Sequence, residues 1–176
     1  VRGPHTLSAI VRSGAAMVRA TEDSLLVAAQ TGASLIAAGN DWNDVPAGTV
    51  RSLRHGETKP ASRKLLDAPV AQAKRVLSLA IAGKSPPLAF AFAPLLGSAR
   101  YEAVLRRDGA DVETRQIAKA AEDVQVSFAD LPPGTYAMAV RAVDQDGIES
   151  PWSGVIEGAV VGLELPPGAT IVGDTV

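Results

Sequence analysis

Cysteine is absent from this 176-residue chain, and histidine occurs only twice. A disulfide framework, a thiolate nucleophile and a cysteine-based metal site are therefore excluded, and no His-rich metal cluster can be built. The formal net charge is only −2, from 17 Lys and Arg against 19 Asp and Glu. This nearly even number of basic and acidic residues argues against a nucleic-acid-binding protein, because such proteins bind through a basic face. We therefore expect no cofactor and no nucleic-acid partner.

Long apolar runs are also missing, although 47% of the residues are hydrophobic. The longest candidate, residues 77–96, is interrupted by Lys84-Ser85-Pro86-Pro87, so it falls short of the roughly 20 apolar residues of a membrane-spanning helix. The apolar fraction is nevertheless too high for a disordered chain. Because the apolar residues are mainly Ala, Val and Leu, the sequence predicts a thin core between closely spaced layers. The chain begins with Val1 rather than Met, so we expect any signal peptide to lie upstream.

Short apolar runs separated by turn residues fill the first 40 positions. Strands are predicted at 7–11, 15–20, 25–29 and 34–38. Each run is closed by Gly, Asn, Asp or Ser, and a spacing of about 8–12 residues is typical of all-β proteins. A helix over 15–38 is the competing interpretation, because alanine is the best helix former. The apolar positions do not keep a 3.6-residue period, which favours strands.

A polar stretch at 56–64, containing Pro60, marks the predicted boundary between two units. Further strands are predicted at 88–92, 101–106, 124–128, 135–143 and 154–165, with a short helical turn over 71–75. The strands are expected to direct alternate side chains into one core. The predicted core residues are Phe90, Phe92, Val126, Phe128, Tyr136 and Val140. This number of short strands in roughly 100 residues favours an antiparallel β-sandwich.

One segment of the second half resembles fibronectin type III domains. Leu131-Pro132-Pro133-Gly134-Thr135-Tyr136, followed by apolar alternation to Val143, is similar to strand F of that family and the corner before it. The resemblance implies that the Tyr136 hydroxyl binds a backbone group across the corner. Residues 144–152 resemble the loop between strands F and G, and Ser150-Pro151-Trp152-Ser153 resembles the start of strand G. Phe90 or Phe92 stands where the family has a Trp on strand B, and the resemblance covers residues 66–162.

The first 60 residues are similar to the periplasmic β-domain of FecR-type proteins. The similarity is carried by the order of three segments, Gly14–Val18, Leu26–Gly32 and Val45–Val50. Lys64–Pro69 resembles the junction that joins such a domain to a sandwich domain, with Asp67 in place of the first Pro. A whole FecR-type domain is longer, so its first strands are expected upstream of this chain.

Together the resemblances imply an all-β protein. They imply a short-strand FecR-like unit at 1–63, an antiparallel Ig- or fibronectin-III-like β-sandwich at 64–162 and an ordered apolar tail at 163–176. They also imply an exported bacterial protein that lies in the periplasm or at the cell surface. FecR-type proteins carry signals across the inner membrane by touching the periplasmic domain of a transporter, and others with attached sandwich domains are scaffolding proteins.

Two acidic segments offer oxygen ligands of the kind that Ca²⁺ prefers. Asp41-Trp42-Asn43-Asp44 is also typical of a polar loop, and Asp144-Gln145-Asp146-Gly147 with Glu149 is typical of a hairpin turn. Neither segment has the spaced Gly and distal Glu of a full calcium loop. The loop and turn interpretations are therefore favoured, and no metal ligand is assigned.

Candidate catalytic groups are equally sparse. His5 and His55 would need an orienting carboxylate and a nucleophile close by, and the sequence has no Gly-x-Ser-x-Gly nucleophile motif around Ser13, Ser24 or Ser34. No catalytic residue is therefore assigned, and the chain is predicted not to be an enzyme. Seven basic residues between Arg51 and Arg75 are predicted to form a solvated surface rather than a patch for an acidic partner.

Five apolar residues are candidates for contacts with a partner: Trp42, Trp152, Val160, Leu163 and Leu165. Both Trp residues lie beside polar residues in predicted loops, where a Trp can anchor an interface or cover the edge of a thin core. The apolar tail is expected to pack on its own domain or to extend the sheet edge of a neighbour. We hypothesise that the chain self-associates.

The sequence therefore favours a non-enzymatic structural or protein-interaction module of the bacterial cell envelope. It would bind protein partners, including copies of itself, through sheet edges and loops. The alternatives are a FecR-like periplasmic signalling module or a peptidoglycan- or carbohydrate-binding accessory domain of a larger envelope protein. Two Trp, two Tyr and three Phe are a poor supply of stacking platforms for sugars.

Overall fold

Strands make up the regular secondary structure of this protein. The computed structural model describes residues 6–81, 86–118, 124–164 and 166, and within these ranges it contains fourteen strands and no helix. The strands form several sheets that are largely antiparallel, so the protein is all-β and of the β-sandwich kind. The helix considered over 15–38 is wrong, since three strands occupy it. The helical turn at 71–75 is also wrong, because Ala71 forms an antiparallel bridge to Phe92.

The chain divides into two compact units, and unit 1 comprises residues 1–69, 95–101 and 141–152. Its strands are β1 (Leu7–Ser13), β2 (Ala16–Ala20), β3 (Ser24–Ala29), β4 (Ala33–Ala38), β5 (Asp41–Pro46), β6 (Thr49–Arg54) and β7 (Ala61–Lys64). They form a three-stranded sheet in the order β1-β4-β5 and a four-stranded sheet in the order β2-β3-β6-β7. The predictions of β1 to β4 are confirmed, whereas β5, β6 and β7 were not predicted as strands.

Two glycines connect the strands of unit 1 at a close crossing. Gly14 and Gly32 both have φ of +75°, which side-chain-bearing residues rarely adopt. A Cβ atom on Gly14 would lie 2.4 Å from the Thr31 carbonyl oxygen, and one on Gly32 would lie 2.2 Å from the Ser13 carbonyl oxygen. Only glycine therefore fits these two turns, and the Gly32 turn joins β3, which carries the buried Val27, to β4, which carries the buried Ile36.

Unit 2 comprises residues 70–94, 102–140 and 153–176. Its strands are β8 (Arg75–Ile81), β9 (Leu88–Phe92), β10 (Ser98–Arg107), β11 (Ala110–Ala118), β12 (Val124–Phe128), β13 (Gly134–Asp144) and β14 (Ile156–Leu163), of which β10 and β13 each extend into residues of unit 1. The strand order is β11-β10-β13-β14-β8 in one sheet and β12-β9 in the other. The predicted strands are confirmed, and β8 and β11 are additional. The pairing of β8 with β14 is parallel.

The core of unit 2 contains all six residues that the sequence predicts for it, each at most 4% exposed. The rings of Phe90 and Phe128 meet edge to face, with centroids 6.2 Å apart and an interplanar angle of 75°. Across the core, a Cβ atom on Gly158 would lie 2.7 Å from Leu88 Cδ2 and 3.0 Å from Phe90 Cζ. The layers thus approach as closely as the small apolar residues of the sequence predict.

The corner before β13 is held by the residue that the sequence singles out. The Tyr136 hydroxyl donates a 2.6 Å hydrogen bond to the Pro132 carbonyl oxygen, and the Arg107 guanidinium lies 5.7 Å from the centre of the Tyr136 ring. The predicted contact of Tyr136 with the backbone is therefore confirmed. It joins the start of β13 to the turn that precedes it.

Phe128 is a direct test of how this core is packed. Replacing Phe128 with Ala removes a fully buried ring and leaves a cavity, so we expect the free energy of unfolding to fall by about 3–5 kcal/mol in chemical denaturation. Leu96→Ala is the control, since Leu96 is 95% exposed, and it should change stability by less than about 0.5 kcal/mol. A loss below about 1 kcal/mol for Phe128→Ala would show that the ring is not buried.

Candidate functional site

The turn between β13 and β14, which we call the acidic turn (residues 144–149), is closed by its own carboxylate. Asp144 is 5% exposed, and its Oδ1 accepts the N–H groups of Asp146 at 2.9 Å and Ile148 at 2.8 Å. Its Oδ2 lies 2.7 Å from Arg63 Nη2, which also reaches the Asp146 carboxylate at 3.0 Å. The hairpin-turn interpretation of this segment is therefore confirmed. Arg63 is an ion-pair partner here, and not only part of a solvated surface.

The acidic turn belongs to the packing of unit 1. Ile148 is fully buried in one cluster with Ala28, Val50 and Leu65. The Arg19 guanidinium donates hydrogen bonds to the carbonyl oxygens of Asp146 and Gly147. The Glu149 carboxylate accepts a hydrogen bond from the Arg141 guanidinium. Its carboxylates and much of its backbone are therefore engaged within the unit.

The other acidic segment is a strand and not the predicted loop. Asp41 to Asp44 lie in β5, where successive side chains point to opposite faces of the sheet. Asp41 and Asn43 therefore lie on one face and Asp44 on the other, so their oxygens do not converge on one point. Among the residues that the structure describes, no three His, Asp or Glu side chains are grouped to hold a metal ion.

The two Trp side chains are each 40% exposed, but their settings differ. Trp42 lies within β5, not in a loop, and it pairs with the fully buried Ala37 of β4. Trp152 lies in an irregular segment, with the Arg141 guanidinium 4.6 Å from its ring centre. One face of Trp152 is therefore covered by a cation. Both residues stay candidates for contacts with a partner.

The outer surface of β8 and β14 is apolar. The parallel register places Leu77 beside Ala159, Leu79 beside Val161 and Ile81 beside Leu163. We call these six residues the β8–β14 face. Leu77 is 63% exposed, Val161 41% and Leu163 44%. The prediction that Leu163 is available for contacts fits this position.

The neighbouring candidate Val160 needs a correction. Val160 is 3% exposed, because alternation along β14 turns its side chain into the core while Val161 turns outward. Its side chain is therefore not available to a partner. The remaining candidate, Leu165, lies outside the described residues, as does most of the predicted apolar tail.

A shallow open groove of about 680 Å³ crosses the beginning of this face. Its floor is Ala159, which the sheet register places between Thr135 of β13 and Leu77 of β8. The ion pair between Arg75 Nε and Glu157 Oε2, at 2.7 Å, lines one end.

Of the residues considered for catalysis, Ser13, Ser24 and His55 have hydrogen bonds within the fold, and Ser34 is buried at 1% exposure. Ser13 Oγ accepts the Ala33 N–H at 3.2 Å, and the hydroxyl groups of Ser24 and Thr21 are hydrogen bonded at 2.8 Å. His55 follows β6 on the surface, and its N–H donates to the Asp23 carbonyl oxygen at 2.7 Å. His5 lies outside the described residues.

β8 was not predicted as a strand, and Leu77 and Leu79 were therefore not predicted as contact residues. The segment Val76-Leu77-Ser78-Leu79-Ala80-Ile81 is apolar at nearly every position, so it lacks the polar alternation that marks a half-buried strand. The feature that could have predicted this strand is the length of the segment, since a short apolar run between turn residues is also consistent with a strand.

No model of a known protein family matches this chain, and no curated protein matches it. Two solved structures from B. thetaiotaomicron are similar at TM-scores of 0.36, namely the extracellular domain of the putative hybrid two component system BT4673 and the extracellular domain of the putative one component system BT4673. They are 12% and 11% identical, with 86% and 83% of this chain covered. This chain spans about a quarter of their length.

Another similar structure is that of the Bacteroides ovatus mixed-linkage glucan utilization locus SGBP-B in complex with mixed-linkage heptasaccharide. It is 10% identical with a TM-score of 0.26, and the match covers 79% of this chain and 42% of that one. At these identities and TM-scores the matches assign neither a family nor a ligand to this chain.

The acidic turn predicts unequal effects for its two aspartates. Asp144→Ala leaves two N–H groups without their acceptor and Arg63 without its buried partner, so we expect a loss of about 2–3 kcal/mol in the free energy of unfolding. Asp146→Ala is the matched control, because the Asp146 side chain is 70% exposed and its ion pair should contribute less than about 1 kcal/mol. Equal losses, measured by urea denaturation, would contradict this role for Asp144.

Proposed function

We propose that this chain is a non-enzymatic protein-interaction module of the bacterial cell envelope that binds through its exposed sheet surfaces. The observation that carries the proposal is the β8–β14 face, where Leu77, Val161 and Leu163 are each more than 40% exposed on one side of a sheet. Contiguous apolar surface is a common mark of a protein-protein contact. The face lies at the end of the five-stranded sheet, where a further strand can be added.

The strand order supports a fibronectin-III-like identity for the sandwich. In immunoglobulin-type sandwiches strands C, F and G share one sheet and strands B and E share the other. Here β10, β13 and β14 are neighbours in one sheet, and β9 pairs with β12 in the other. The bond from the Tyr136 hydroxyl to the Pro132 carbonyl oxygen is the contact expected at the corner before strand F. One departure is β8, which pairs with β14 and not with the B-type strand.

A FecR-like identity for the first 60 residues is part of the same proposal. It is supported by short antiparallel strands around Gly14, Gly32 and Gly48, all at φ of +75°. In the ranges that the structure covers, no helix is both long and apolar enough to span a membrane. The location in the periplasm or at the cell surface rests on the two resemblances.

The carboxylates at the acidic turn and at the groove are engaged in ion pairs, which supports a structural role for these side chains. Asp144 and Asp146 pair with Arg63, and Glu157 pairs with Arg75. These side chains join neighbouring strands and turns.

A saccharide-binding accessory domain is the second candidate. It is favoured by the exposure of Trp42 and Trp152, since partly exposed aromatic rings are the surfaces on which sugars stack. The groove of about 680 Å³ also falls within the usual range for small-ligand sites, roughly 300–1,000 Å³.

Photo-crosslinking tests the proposed protein contact. A benzophenone amino acid at position 161, in the chain exported to the envelope of a living bacterium, should form crosslinks to protein, because Val161 lies on the β8–β14 face. The matched control is position 96, which is 95% exposed but lies outside that face. Equal crosslinking from the two positions, or none from position 161, would refute the proposal.

Titration with soluble peptidoglycan fragments separates the two candidates. We expect no saturable change in Trp fluorescence, although both rings are exposed enough to report on a ligand. A saturable change that Trp42→Phe or Trp152→Phe abolishes would support the saccharide-binding candidate and count against the protein-interaction module.

A further inference from the structure

Strand β8 ends the five-stranded sheet, and its backbone has an open side. No strand within the described ranges pairs with that side. The Glu157 N–H donates to the Lys74 carbonyl oxygen at 3.1 Å, and the parallel register continues to Ile81. Val76, Ser78 and Ala80 therefore direct their backbone groups towards β14, and the intervening residues direct theirs to the open edge. The outward residues are Arg75, Leu77, Leu79 and Ile81.

The side chains of β8 do little to block pairing at this edge. Natural edge strands are commonly protected by Lys, Pro, bulges or inward charges. β8 has one charged residue, Arg75, which is already paired with Glu157. The opposite edge of the same sheet, β11, has Asp111, Glu113 and Arg115 along its length. The two edges of one sheet thus differ in charge, and β8 is the one suited to adding a strand.

We propose that β8 pairs with β8 of a second copy of this chain, antiparallel and centred on Ser78. This inference rests on the proposed function and names its partner. With a two-fold axis at Ser78, each of the seven residues of β8 lies opposite a β8 residue of the other copy. An axis at Leu77 or Leu79 would leave part of the strand unpaired. The outward N–H and C=O groups of Leu77 then meet those of Leu79 in the second copy.

The sequence of β8 is self-complementary about this axis. Leu77 lies opposite the second copy's Leu79 on the outer face, and Val76 lies opposite its Ala80 on the inner face. Apolar cross-strand pairs of this kind stabilise antiparallel strands. The two Arg75 residues lie at opposite ends of the pairing, each opposite Ile81, so like charges do not meet. The same surface patch on both subunits is the arrangement of a two-fold dimer.

Sedimentation equilibrium of the full 176-residue chain over a range of concentrations tests the pairing. The wild-type chain should be a reversible dimer. Leu77→Lys places a charge opposite Leu79 at two symmetric positions, so it should raise the dissociation constant roughly tenfold. Leu77→Pro removes an outward N–H and none of the bonds to β14, and it should weaken the dimer too. Circular dichroism verifies that each variant keeps its strands.

The matched control is Val112→Lys on β11, because Val112 is 49% exposed on the opposite edge strand. It should leave the dissociation constant unchanged. Amide hydrogen exchange adds a second readout, in which the Leu77 and Leu79 N–H groups become protected as the concentration rises. A wild-type monomer at all concentrations overturns the proposal, as does a dimer that Leu77→Pro and Leu77→Lys leave intact.

Two other results would mean that β8 does not pair with a second copy of this chain. Protection of both amides in a monomer at every concentration would mean that the chain covers its own edge. A monomer that still crosslinks to other proteins from position 161 would overturn self-pairing and leave the protein-interaction module standing. If the monomer also fails to crosslink, both proposals fall.

Discussion

The structure depends on sheets that approach closely through small side chains. Ala, Val and Leu supply most of the apolar volume, and the layers meet so tightly that a single Cβ atom on Gly158 would come within 3.0 Å of the Phe90 ring. Such packing tolerates little change in volume. It also fixes which side of each strand is inside, which is why Val160 is buried and Val161 exposed.

The acidic turn shows how local chemistry decides which surfaces stay available. Asp144 closes the turn through two backbone N–H groups and holds Arg63, and Ile148 is buried in unit 1. A turn anchored in this way is a poor site for capturing a ligand. The apolar β8–β14 face has no comparable engagement in the described part of the chain, so the proposals for binding rest on sheet surfaces.

Of the strands in the described ranges, five of the six that pair on both sides were predicted, whereas four of the eight that end a sheet were missed. β3, β4 and β13 carry enough buried residues for their apolar runs to stand out, although the inner strand β6 was missed. β5, β7, β8 and β11 all end their sheets. The edge strands β5, β7 and β11 are polar, as is common where charges protect an edge from further pairing. The polar sequence Asp41–Asp44 of β5 therefore resembled a loop. β8, in contrast, is apolar at nearly every position, so it does not show the alternation of polar and apolar residues that marks a strand.

Local rules were enough to determine the all-β class, the glycine turns and the buried face of Val124–Phe128, and the resemblance to fibronectin type III domains implied the bond of Tyr136 to its corner. These features depend on residues near one another in sequence, whose preferences act over a few positions. Only the tertiary structure decided that Arg63 would meet Asp144, that β8 would pair with β14 and that Leu77 would lie at an open edge. Those outcomes depend on pairings between distant segments, and a strand's own residues do not specify which neighbour it pairs with or whether it has one on each side.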